Sequence, residues 1–214
     1  MSYQSDEEQV EKLKEMWKRH GMPLLTGVAL ALAGTFGWQG WNNYQDGLAA
    51  NASALYQNML ESTLESEGVE ARIRAAALAE QLRADYPKSR YAGYAALMQA
   101  RLAVEADDLD AAEKLLREAA AFKGDPILKE VASQRLARVL GELSRAEEGL
   151  ALLSGDVRGE LLAGREEVRG DLLLQLERTD EARAAYQAAI AAVEDPRARP
   201  QLQLKLDDLA EEVL

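Results

Sequence analysis

With 214 residues, 48% of them hydrophobic and 29% charged, the chain suits one ordinary domain with an appendage and is neither disordered nor a multi-span membrane protein in composition. A formal charge of −12 opposes phosphate backbones, so nucleic acid is not a partner. Cysteine is absent and histidine occurs once, at His20, which excludes disulfides, thiolate or multi-histidine metal sites and most catalytic triads.

Ala, Leu and Glu dominate while aromatic residues make up 6%, a balance that predicts an all-α fold. Residues 1–21 form a leader. Its Val10, Leu13, Met16 and Trp17 fall on one helical face, which predicts a short amphipathic helix on the cytoplasmic surface of a membrane.

Residues 22–41 follow, with no charged side chain from Met22 to Trp41. A helix of that length covers roughly 30 Å, the thickness of a bilayer core. Trp17 on one side and Trp38, Trp41 and Tyr44 on the other are placed as interfacial anchors, and Pro23 suits the first turn of the spanning helix. Lys12, Lys14, Lys18 and Arg19 precede the span, and no basic residue follows it until Arg72. That asymmetry keeps the N-terminus cytoplasmic and exports the rest. Gly27, Ala31 and Gly34 make a small-residue stripe, a candidate face for docking another membrane helix. Two other readings compete. Ala31-Leu32-Ala33 resembles a signal-peptide cleavage site, but the preceding region is long and acidic and the apolar run continues through Phe36 and Trp38. A buried core helix is the other, and the five glycines from Gly21 to Gly40 weigh against it.

Residues 42–214 carry an internal repeat. Ala112, Leu116 and Ala119 recur as Ala146, Leu150 and Leu153 and again as Ala182, Tyr186 and Ala189, with Ala75, Ala79 and Leu82 as a weaker early copy. The steps lie near the 34-residue period of tetratricopeptide repeats, in which small residues at a helix crossing let a bulky neighbour pack one turn later. Pro87, Pro126 and Pro196 fall at breaks, as do Gly155, Asp156 and Gly159, while Asp107-Asp108 and Thr179-Asp180 suit helix starts. Helices are predicted at roughly 47–66, 69–85, 89–105, 108–122, 127–140, 144–153, 160–177, 180–194 and 198–212, the last capping the array through Leu202, Leu206 and Leu209. Arg135 and Arg138 are expected near a groove between repeats, engaged in structural salt bridges.

The order of these parts resembles the YfgM-type ancillary subunits of the Sec translocon. The matching stretches are Glu8-Gln9-Val10-Glu11, Gly37-Trp38 to Tyr44, Ala52-Ser53, Tyr56-Gln57-Asn58, Arg135-Leu136-Ala137-Arg138-Val139, Arg169-Gly170-Asp171 and Leu202 to Leu209. The resemblance implies a bacterial inner-membrane scaffold beside the Sec channel, with a periplasmic repeat domain that helps pass exported polypeptides to periplasmic chaperones. It implies a membrane-anchored peptidyl-prolyl isomerase of the PpiD type as partner, and a role for the leader in restraining an envelope-stress regulator. It brings no catalytic motif and no cofactor. The residues alone equally allow a tethered repeat module for envelope or divisome assembly without translocon contact. Nothing in them points to an enzyme.

Overall fold

The computed structural model describes residues 3–64, 68–157, 159–193, 195 and 199–211. The described residues are helical and fall into two units, residues 1–51 and 52–214.

The first unit belongs to α1, Tyr3–Leu64. The expected boundaries within this stretch are not helix boundaries. Leader, apolar span and the start of the predicted helix 47–66 are one helix, and Pro23 lies inside it rather than in a first turn. Proline deletes one backbone N–H and crowds the carbonyl one turn earlier, which breaks many helices in water.

In the second unit the C-terminal part of α1 is followed by α2 (Val69–Asp85), α3 (Arg90–Glu105), α4 (Leu109–Ala120), α5 (Pro126–Glu142), α6 (Ala146–Leu152), α7 (Glu160–Gln175), α8 (Thr179–Ala191) and α9 (Pro200–Glu211). The ends follow local chemistry. Pro87 follows Tyr86 in a turn closed by the Ser89 N–H donating to the Tyr86 carbonyl at 2.9 Å. The side chains of Ser89, Asp108 and Asp125 accept from backbone N–H groups in the first turns of α3, α4 and α5, and Pro126 occupies the first turn of α5. Thr179 is different: it lies inside α8, and Arg178 holds the cap position without a side-chain bond. Pro196 lies outside the described residues.

From α2 to α9 each helix packs on the next, α5 also reaches α7 past the short α6, and α1 joins through Met59. The core is accordingly a relay of four apolar clusters. Met59, Ala75, Ala79, Leu82 and Ala95 form the first. Ala112, Leu116, Ala119, Leu128, Leu136 and Leu140 lie in the second, Ala137, Ala146, Leu153, Val168 and Leu172 in the third, and Leu173, Ala182, Tyr186, Ala189, Leu202 and Leu209 in the last. The clusters follow one another along the chain, and Leu150 packs against both of the last two, as in a repeat protein whose units cannot bury their faces alone.

The turns inside the repeats share one geometry. Asp107, Ser144 and Glu177 have φ of 60°, 61° and 60°. The next residue donates back across the turn: Asp108 to Ala103, Arg145 to Leu140 and Arg178 to Leu173, at 2.9, 2.7 and 2.9 Å. This is the left-handed helix stop usually made by glycine, made here by three unlike residues.

Those turns set the true register. Counted from the caps Asp108, Arg145 and Arg178, the equivalent small residues are Ala112, Gly149 and Ala182, and the bulky residues one turn on are Leu116, Leu153 and Tyr186. The middle copy is therefore centred on Gly149, three residues after Ala146. Ala146 is buried, but Leu150 is only partly so, and α6 ends at Leu152 before any counterpart of Ala119. Ala100, Ala137 and Gly170 each lie twelve residues before this small position and are also buried.

Candidate interaction surface

In the first unit the residues expected to meet a membrane are exposed. Trp17, Trp38, Trp41 and Tyr44 each show more than half of their surface, and a Cβ built at Gly27 or Gly34 meets nothing within 4 Å. From Gln9 to Trp41 only Gly21 is buried, beneath the ring of Trp17. Thr26 and Thr35 donate to the Met22 and Ala31 carbonyls at 2.9 and 2.8 Å, so the two hydroxyls of the apolar stretch are satisfied within the helix. This is a helix long and apolar enough to cross a membrane, and hydrocarbon is the medium that suits its surface.

In the second unit the repeat residues meet in pairs. Tyr186 lies on Gly170, where a Cβ would overlap its ring, and its hydroxyl donates to Asp171 at 2.8 Å. Burial first, and then the Asp171 bond, push the Tyr186 pKa up. Lys205 of α9 donates to Asp171 at 2.6 Å and lies 5.6 Å from the Tyr186 ring centre, which fastens the terminal helix.

Two polar devices tie repeat to repeat. Arg145 bonds Glu113 and Arg117 bonds Glu148, both at 2.7 Å, joining α4 to α6; Arg178 reaches Glu147 at 3.5 Å, joining α6 to α8. These pairs are largely exposed and contribute little each. Arg165 and Glu130 are buried, 6% and 7% exposed, and pair between α7 and α5. Arg165 also donates to the Gly155 carbonyl at 2.8 Å, and Gln134 donates to Glu130 at 2.8 Å. Burial alone would raise the Glu130 pKa; the Arg165 and Gln134 bonds outweigh it and hold the carboxyl below its usual range. Sequence periodicity gives no signal for this pair, since Glu and Arg on a helix normally read as solvated.

Two concave regions of the second unit bear on its surface chemistry. One, of about 500 Å³, lies among α6, α7 and α8, and its charges are matched: Arg178 with Glu181 at 2.7 Å and Arg169 with Glu166 at 3.1 Å. The other, of about 290 Å³, lies between α3 and α5 over α4. Its floor is apolar and its rim bears Arg101, Arg135 and Arg138 together with Glu105 and Glu142. The salt bridges expected of Arg135 and Arg138 are not formed: among the described residues neither has an ion-pair or hydrogen-bond partner. Partial desolvation first, and then the charges of Arg138 and Arg101, lower the Arg135 pKa.

Helix pairs stacked on small-residue crossings, carrying grooves and no cluster of metal-ligating side chains among the described residues, define a helical-repeat scaffold. A tetratricopeptide repeat-like domain family matches residues 14–211. A protein of Escherichia coli (strain K12) named "Ancillary SecYEG translocon subunit" is 32% identical over 209 residues, covering 97% of this chain and 98% of its own. A Haemophilus influenzae protein of the same name is 31% identical over 80% of this chain and 82% of its own, and one from Neisseria gonorrhoeae is 28% identical over 95% and 97%. The chain belongs to this family of tetratricopeptide-like ancillary SecYEG translocon subunits.

Proposed function

We propose that the protein is a scaffold anchored beside the Sec channel in a bacterial inner membrane. The observation that carries this reading is the extent of the likeness: the match to the Escherichia coli relative runs through 97% of this chain, so it takes in the apolar span as well as the repeats. A single span followed by stacked helix pairs suits a protein that holds others in place rather than one that transforms them.

The basic residues just before the span, and the lack of any after it until Arg72, favour an N-terminus in the cytoplasm and residues 42–214 in the periplasm. There the repeats help pass exported polypeptides to periplasmic chaperones, with a PpiD-type membrane-anchored isomerase as neighbour. The Gly27, Ala31 and Gly34 face docks a helix of the channel or of that neighbour, and the leader meets a cytoplasmic regulator. In-cell photo-crosslinking from Trp38 and Trp41 tests the reading. Recovery of SecY, SecE or SecG supports it; recovery of cell-wall or division proteins alone overturns it. A periplasm-active reporter fused after Leu214 works if the orientation is right, and a cytoplasm-active one works if it is wrong.

A further inference from the structure

We propose that the groove between α3 and α5 binds a segment of a partner polypeptide in which aliphatic side chains stand beside carboxylates. The floor supplies the apolar half. Leu116 and Val139 are buried at its base, and Val104 above them, 46% exposed, offers aliphatic surface that an occupant would take out of water. The rim supplies the other half. Arg101 is held only by Glu105 on its own helix, at 2.8 Å, an exposed pair that is readily exchanged. Arg135 and Arg138 form no ion pair among the described residues; Glu105 and Glu142 also line the groove, and the three guanidiniums outnumber them.

Between the repeats other arginines are paired: Arg83 meets Glu118, Arg117 meets Glu148, Arg145 meets Glu113 and Arg165 meets Glu130. The Arg135 pKa is lowered first by partial desolvation and then by the charges of Arg138 and Arg101, and an incoming anion would offset the latter.

Charge complementarity selects an acidic occupant, and planar guanidiniums suit carboxylates in particular. The floor selects against a bare phosphate or a nucleic acid, either of which would leave it wet. The volume of about 290 Å³ is at the small end for ligand pockets, room for a side chain or two and not for a folded domain. A short extended or helical stretch laid along the groove meets all three conditions. This inference does not depend on the translocon reading, since the binding is read with no translocon present.

The test uses the full chain in phosphatidylcholine nanodiscs and a short fluorescein-labelled peptide alternating leucine and glutamate, followed by fluorescence anisotropy. Saturable binding is expected, weakened roughly ten-fold or more by the double variant Arg135→Glu/Arg138→Glu and by replacing every glutamate of the peptide with glutamine. Val104→Asp weakens it as well. Both arginines are exposed, so melting curves of the double variant should match the parent; if they do not, Arg135→Gln/Arg138→Gln supplies the comparison. Equal binding of the glutamine peptide, or undiminished binding by the charge-altered protein, overturns the proposal. So does an arginine-dependent interaction seen only with phosphatidylglycerol in the disc and not with peptide. Crosslinking the same variants to SecYEG reads the translocon proposal separately.

Discussion

A Cβ built on Gly149 lies 2.9 Å from the carbonyl oxygen of Ala137, so α6 and α5 touch at a point where no larger residue fits without backbone movement. Exchanging Gly for Ala normally gains a helix about 1 kcal/mol. Here the contact with main chain reverses the sign. Gly149→Ala is expected to destabilise the repeats by about 1–2 kcal/mol, measured by thermal or urea unfolding. A higher melting temperature would contradict the register centred on Gly149.

The outer crossings predict the same overpacking in a milder form. Ala112 and Ala182 are fully buried, and replacing either with Leu should destabilise by about 1–3 kcal/mol. An exposed alanine of the same array, Ala184, serves as control and should tolerate Leu with little change.

The left-handed turns predict a gain. Glu177 has φ of 60°, a conformation that disfavours a side chain by roughly 1–2 kcal/mol, and it is exposed. Glu177→Gly should therefore stabilise by about 0.5–1 kcal/mol after the added freedom of the unfolded chain is subtracted. That corresponds to a melting temperature about 1–4 °C higher. Ser144→Gly should behave likewise; a lower melting temperature in both would rule out this turn geometry.

Glu130 and Arg165 predict a strong asymmetry between single and double changes. Glu130→Met leaves a guanidinium buried beside Gln134 and Gly155 without its carboxylate, and about 3–5 kcal/mol should be lost. Changing both residues to Met should restore most of that loss, because two apolar side chains can fill the space without an unpaired charge. A double variant as unstable as the single one would argue that the ion pair is net stabilising.

Acid sensitivity follows from carboxyls whose pKa lies below the usual range. The Leu128 N–H and then the Tyr94 hydroxyl lower Asp125, and Glu130 is lowered as described above. Each contributes stability that is fully present above the unfolded-state value, near pH 4, and is lost as pH falls through the lower folded-state value. Melting temperature should fall between about pH 4.5 and pH 3. Asp125→Ser keeps a capping oxygen but removes one titrating group, and should flatten that fall.

Much of the fold is legible in the chain because prolines and small polar caps mark helix ends locally. Val69–Asp85 is bounded where the sequence places it, Asp108 caps α4 as expected, and Pro87 and Pro126 mark the breaks at which Ser89 and Asp125 cap α3 and α5. The middle repeat is less legible. Its left-handed turn falls on Ser144, which carries no glycine signal, and Ala146 imitates the small residue whose place Gly149 occupies. The Pro23 position misleads for a related reason: proline favours a first turn but does not require one. The groove is half legible. Arg135 and Arg138 are recognisable as neighbours on one helix, but whether an acid meets them depends on what α3 and α4 bring alongside, and that is a property of the packed array.

Leu150 touches both the third and the last apolar clusters. A relay of clusters would otherwise come apart link by link, with the end carrying α8 and α9 opening on its own. A side chain held in common by two links makes the loss of one felt by the other. Trimming Leu150 to Ala should therefore do more than lower stability: hydrogen exchange in α8 and α9 should speed up independently of that in α3 and α4. The protein would then unzip in stages, and the grip of its far end would depend on one leucine.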